Sequence, residues 1–195
     1  MADLVYHVIA SLDGYVADAT GDFAWSEPDA EVHAFVNRQE RAIGTALYGR
    51  RMYEVMVAWE TMDPKTAGNA EIMREYQEIW QTTDKVVYSG TLAEVTSART
   101  RLERTFDPGA VRGLKDAATQ SVSIGGPGLA AAALHAGLVD ECGVYVNPVV
   151  VGGGTPWLPE GLRLDLDLVD EHRFGNGVVF LRYRVRHRRP PTLDR

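Results

Sequence analysis

The stretch Ser123-Ile124-Gly125-Gly126-Pro127-Gly128-Leu129 has the composition of a strand that turns sharply into a helix. Backbone N–H groups in the first turn of a helix lack intrahelical partners and point along a positive dipole, so they suit a pyrophosphate. Glycines let those groups come close to a ligand because no Cβ stands in the way. A tight structural turn would use the same residues. A second turn of this kind is Leu47-Tyr48-Gly49-Arg50-Arg51-Met52, which places two guanidiniums at a helix start. Arginine suits phosphate through its forked donors. A third strand end, Tyr88-Ser89-Gly90-Thr91, offers hydroxyls and a glycine.

Other residue types that do chemistry carry weaker patterns. Asp13, before Gly14, is either a carboxylate near a substrate or a turn residue accepting backbone N–H groups. Glu31 and His33 open the first predicted helix; His33 is a candidate catalyst or a packed imidazole. Phe23 and Trp25 sit in the polar loop 17–27, and with Trp157 they are candidate walls of a substrate pocket. Asp140-Glu141 resembles a paired acid site, yet its position at a strand start predicts a cap or solvent-facing role. The five histidines show no ligand spacing with acids or with Cys142, so no metal centre is expected. Cys142, the only cysteine, lies in an apolar stretch and reads as a buried side chain.

Patterning supplies the elements that must hold these turns. Leu4–Ala10, Thr45–Tyr48, Asp84–Ser89, Thr100–Arg104 and Ser121–Ile124 read as strands, and Leu138 leads into another that runs through Val149. Helices are expected from Pro28, over Arg50–Trp59, Ala70–Trp80 and Leu129–His135, and from Asp107, with Asp107 as cap and Pro108 at the first helical position. Alternation in Arg163–Asp167 and Val178–Val185 predicts antiparallel strands late in the chain. The order implies an α/β fold, a mostly parallel sheet with an antiparallel finish. A chain of 195 residues with 45% hydrophobic and 24% charged residues suits one domain, over 1–187, followed by a flexible tail, 188–195. A net charge of -7 disfavours nucleic acid, and no apolar run approaches a membrane span, so the expected setting is the cytoplasm.

Six motifs in order resemble the dihydrofolate reductase-like proteins, in the branch of the RibD C-terminal domain. They are Ser11-Leu12-Asp13-Gly14-Tyr15-Val16-Ala17, Leu47-Tyr48-Gly49-Arg50, Val87-Tyr88-Ser89-Gly90-Thr91-Leu92, Ser123-Ile124-Gly125-Gly126-Pro127, Gly137-Leu138-Val139-Asp140-Glu141 and Pro148-Val149-Val150-Val151-Gly152-Gly153-Gly154. The resemblance implies a three-layer fold with helices on both faces of the sheet, a homodimer, and NADPH across the strands' carboxyl ends. Ala10 would meet the nicotinamide, Gly49, Arg50 and Arg51 the phosphates, and Ser89 and Gly90 the adenosine end. Ile124, Gly125, Gly126, Pro127, Gly128 and Leu129 would hold the pyrophosphate, with a cis peptide between Gly125 and Gly126. The implied activity is reduction of a small heterocycle or carbonyl-like substrate, with 5-amino-6-(5-phosphoribosylamino)uracil reduction as the named case. The alternative is a nucleotide-binding module without catalysis. Met52 replaces the Thr of many relatives, and Gly90 replaces a basic residue, which leaves NADH open as cofactor; Arg99 or Arg101 is the candidate replacement charge.

Overall fold

The computed structural model describes residues 1–64 and 69–187. Ten strands occur among them: β1 (Leu4–Ser11), β2 (Tyr15–Asp18), β3 (Ile43–Gly49), β4 (Asp84–Tyr88), β5 (Thr100–Glu103), β6 (Ser121–Gly125), β7 (Glu141–Asn147), β8 (Gly154–Pro156), β9 (Leu166–Arg173) and β10 (Val179–Val185). The helices are α1 (Ala30–Glu40), α2 (Arg50–Met56), α3 (Ala70–Thr82), α4 (Pro108–Ala117) and α5 (Pro127–His135). Eight strands form one sheet in the order β5-β4-β3-β6-β1-β7-β10-β9. The six from β5 to β7 run parallel, and β10 lies antiparallel to both β7 and β9.

Strand pleating sends successive side chains to opposite faces, and each face has its own core. Leu4, Tyr6, Leu47, Val122, Ile124 and Cys142 point to the side of α4 and α5, where Val111, Ala130 and Leu134 pack on them. Tyr145, Phe180 and Phe174 face α1 through Val32 and Phe35, while Ala46, Tyr48 and Val87 lie under Trp80 of α3. The mostly parallel α/β sheet with an antiparallel end therefore stands as expected. Cys142 is buried, and burial pushes its thiol up to about 12, which removes it as a nucleophile.

Local differences from the sequence expectation have physical causes. The loop 17–27 is partly ordered: β2 pairs with β8, and a 3-10 turn spans Ala24–Ser26. Both ribbon strands are too short to show alternation. The late strand starts at Leu166 and runs to Arg173, because its register with β10, and not its own weak pattern, sets its limits. Asp140 and Glu141 do not face solvent. Asp140 meets the buried Lys115 ammonium at 2.6 Å and accepts the Leu4 N–H at 2.7 Å, while the mostly buried Glu141 accepts from Arg184 at 2.5 Å. These cations come from α4 and β10, far away in sequence. The predicted tail, 188–195, lies outside the described residues. Among the described residues no helix is long and apolar enough to cross a membrane, and no cluster of metal-ligating groups occurs.

Candidate functional site

The carboxyl ends of the parallel strands bring the three predicted turns to one edge. Register pairs Tyr48 of β3 with Gly125 of β6, Gly49 with Tyr88 of β4, and Ala10 of β1 with Val146 of β7. The Gly49 and Gly125–Gly126 turns touch. A Cβ at Gly126 would stand 3.3 Å from Met52 Cβ and 3.9 Å from the Gly49 nitrogen, and one at Gly49 would lie 3.6 Å from Leu129 Cβ. At Gly125 a Cβ would come within 2.8 Å of the Tyr48 ring. Both positions thus require glycine for close approach, and Gly126 requires it again for its φ of +94°.

The expected cis bond between Gly125 and Gly126 is absent; the peptide is trans. The chain reverses through the positive φ of Gly126, a region open to glycine without a non-proline cis bond.

α1 and α4 begin with aspartate caps, Asp29 accepting the Val32 N–H at 3.0 Å and Asp107 that of Gly109 at 2.8 Å. The N-termini of α2 and α5, at Gly49 and Gly126, have no side-chain cap. Their first-turn N–H groups, with Pro127 and Gly128 in the α5 turn, are left to an outside acceptor. Arg50 and Arg51 are exposed beside them; Arg50 pairs with Glu54 at 3.3 Å, and Arg51 has no ion pair among the described residues.

At the third turn the Ser89 hydroxyl is already engaged, accepting the N–H groups of Thr91 and Leu92 at 3.2 and 2.9 Å. The Arg104 guanidinium donates to the carbonyls of Leu92 and Ala93 at 2.5 and 3.3 Å, and its backbone oxygen stands 3.9 Å from where a Cβ at Gly90 would lie. Arg99 instead pairs with Asp84 at the other end of β4, and Arg101 with Glu103. In sequence Arg104 is legible only as the last residue of the expected strand Thr100–Arg104, which in the structure ends at Glu103.

The candidate acids separate. Asp13 accepts the N–H groups of Val151 and Gly152 at 3.2 and 2.7 Å and thereby ties the β1 end to the glycine triplet. A hydrogen bond with Ser11, then these backbone donors, holds its carboxyl below the usual range, so it stays ionised and is a poor proton donor. Glu31 accepts the Gly175 N–H at 2.9 Å. His33 is buried between Trp59 and Tyr76, ring centroids 5.8 and 5.5 Å away. Burial pushes its pKa down against the opposing pull of Glu75, so the imidazole is neutral near pH 7.

Of the three aromatic candidates, Phe23 is exposed and Trp25 lies in the 3-10 turn that leads into α1, its indole N–H buried without a partner. Trp157 follows β8, its N–H donating to the Gly14 carbonyl at 3.1 Å. It packs against Tyr6 at 6.1 Å on the α4–α5 face, and its carbonyl accepts the Tyr6 hydroxyl. Two shallow depressions of about 160 and 180 Å³ lie at the opposite end of the sheet, around Gly137 and His187, away from the turns.

Comparison with known proteins bears on the fold and the family. The putative riboflavin biosynthesis protein from Shewanella sp. PV-4 superposes with a TM-score of 0.72 at 20% identity, covering 96% of this chain and all of that one. A pyrimidine reductase-like protein from Corynebacterium diphtheriae gives 0.67 at 14% identity, covering 96% and 93%. In sequence, the uncharacterized protein YyaP of Bacillus subtilis (strain 168) is 26% identical over 183 residues, 92% of this chain and 93% of that protein. The family described as the RibD C-terminal domain matches residues 2–180. That match covers far more than half of the sequence, and the chain belongs to the RibD C-terminal domain family.

Proposed function

We propose that this protein is a reductase that binds NADPH along the carboxyl edge of its sheet and reduces a small heterocycle. The observation that carries the reading is the contact between the Gly49 and Gly125–Gly126 turns, each opening an uncapped helix beside Arg50 and Arg51. Such a pair of bare N-termini fits a pyrophosphate in charge and in available donors. Ala10, at the adjacent strand end, is the expected neighbour of the nicotinamide, and Arg104, whose guanidinium donates to carbonyls of the 89–93 loop, is the cation proposed for the adenosine end. Bound NADPH supplies hydride. The protein positions the substrate against it and keeps water away, a role that needs few ionisable groups.

Membership of the family supports a reductase. A structural relative, the Thermotoga maritima protein called a deaminase and 5-amino-6-(5-phosphoribosylamino)uracil reductase, points to a pyrimidine; this chain covers 56% of its length, with a TM-score of 0.64 at 14% identity. A binding module without catalysis is the second reading, and the ionised Asp13 and packed His33 favour it. Self-association through β9 belongs to the proposal, since Leu168 and Val169 leave apolar surface on this edge strand.

Nicotinamide fluorescence during titration with NADPH and NADH tests cofactor binding. Micromolar NADPH binding, lost at least tenfold in Gly126→Val, supports the site. No binding of either nucleotide at millimolar concentration refutes it. NADPH oxidation over a panel of pyrimidines separates enzyme from module.

A further inference from the structure

β4 and β5 are parallel neighbours, so the chain between them, residues 89–99, must travel back across the sheet. Such a crossover is ordinarily a helix, which satisfies its own backbone. This one holds no helix, and its N–H groups need other partners. Three side chains from outside the crossover hold it. At the carboxyl edge, Arg104 donates to the carbonyls of Ser89, Leu92 and Ala93. At the far end, Glu60 of the 3-10 turn Val57–Glu60 accepts the Ala98 N–H at 3.0 Å and is itself fixed by Trp80 Nε1 at 2.9 Å. Between them stands Tyr53 of α2, whose phenol oxygen accepts the N–H groups of Thr96 and Ser97 at 2.9 and 3.1 Å.

The hydroxyl protons of this cluster have one consistent assignment. Thr100 Oγ1 donates to the Ala98 carbonyl at 2.9 Å, because a carbonyl can only accept. Thr100 then has no proton left for Ser97 Oγ, 2.7 Å away, so Ser97 donates to Thr100. Ser97 in turn has none for the Tyr53 hydroxyl, 3.1 Å away, so the phenol donates to Ser97. Tyr53 therefore accepts twice and donates once. Its side chain is buried, and its ring belongs to a cluster with Met56, Trp80 and Val87 on which Leu92 and Val95 of the crossover pack.

Tyr53 lies one helical turn beyond Gly49, on the helix that carries Arg50 and Arg51, while the crossover begins at Ser89 and Gly90. We propose that Tyr53 is a positioning residue for the cofactor, locking the 89–98 crossover to α2 so that the adenosine and phosphate parts of one nucleotide meet surfaces already fixed relative to each other. This rests on the reductase reading above. A loop ordered before binding leaves the ligand no ordering to bring about, and affinity is higher for it. Phenylalanine keeps the ring and removes the oxygen. The N–H groups of Thr96 and Ser97 then lose their acceptor and Ser97 Oγ loses its donor. The crossover opens locally, and a ligand that uses it binds only the fraction of molecules in which it is closed.

The test measures NADPH and 2′,5′-ADP, which is the adenosine end alone, by isothermal titration calorimetry on wild type, Tyr53→Phe, Ser97→Ala and the double variant. Tyr53→Phe should weaken both ligands by the same factor, roughly fivefold to tenfold. Ser97→Ala should weaken them less, and the double variant should lose little more than Tyr53→Phe, because the two side chains belong to one chain of hydrogen bonds. Hydrogen exchange read by mass spectrometry should speed up in Tyr53→Phe over residues 94–98 and stay as in wild type over residues 121–135, which also shows that the variant folds. Three results overturn positioning by Tyr53 and leave the cofactor site standing: NADPH affinity within twofold of wild type, a loss for NADPH without one for 2′,5′-ADP, or faster exchange in both segments alike. A wild type that binds no NADPH overturns the reductase reading and this one with it.

Discussion

Replacing Glu40 by Gln removes a carboxyl that burial holds far from its ordinary behaviour, and the consequence for stability is calculable. The folded group titrates at about 7 instead of 4.5. Below pH 4.5 both folded and unfolded chains carry the proton, and the group has no effect on stability. Between 4.5 and 7 the unfolded chain loses its proton while the folded chain keeps it, so stability falls as pH rises. Above about 7 the loss is complete. At roughly 1.4 kcal/mol per pH unit the interval is worth about 3 kcal/mol, an upper bound because Glu40 keeps part of its surface. Glutamine has the same shape and does not ionise. Urea denaturation of both proteins at pH 5, 6.5 and 8 should therefore show Glu40→Gln gaining on wild type as pH rises. The gain at pH 8 should approach about 2–3 kcal/mol, or on the order of 4–12 °C in Tm for a chain of this size. Stabilities that stay parallel across the three pH values would refute the desolvation of the Glu40 carboxyl.

Lys115→Met should cost about 3 kcal/mol or more by urea denaturation, because it strips the Asp140 carboxylate of its 2.6 Å ammonium and leaves the Leu138 carbonyl without a donor. Gly143→Ala should destabilise by about 1–3 kcal/mol, since a Cβ there would meet His7 Cδ2 at 2.5 Å; combined with His7→Ala, most of that cost should disappear in a double-mutant cycle. Arg104→Gln should lower NADPH affinity more than NADH affinity in paired fluorescence titrations. Equal losses for the two nucleotides would assign Arg104 to the Ser89–Ala93 loop alone.

The parts of the fold set by short-range rules were legible in the chain itself. Asp107-Pro108 begins a helix because cap and fixed φ act within one turn. Val87-Tyr88-Ser89-Gly90 ends a strand for an equally local reason. The candidate acids were less legible, because Asp13, His33 and Glu40 differ in their surroundings more than in their sequence. Asp13 is held by N–H groups of Val151 and Gly152, His33 is covered by Trp59 and Tyr76, and Glu40 drew no notice in a helix end of ordinary polar character. Trp157, grouped by composition with Phe23 and Trp25, is fixed by long-range partners, its carbonyl by the Tyr6 hydroxyl and its N–H by the Gly14 carbonyl.

By itself the sequence determined an α/β alternation, three glycine turns at strand ends, and helix starts suited to phosphate, all consequences of backbone freedom and periodicity within a few residues. Only the tertiary structure decided that β3 and β6 are neighbours, and hence that the Gly49 and Gly125–Gly126 turns share one edge. It decided also that Asp13 is tied to Val151 and Gly152, and that Lys115 meets Asp140. Strand order and desolvation depend on groups distant along the chain, and local pattern carries no record of which of them meet.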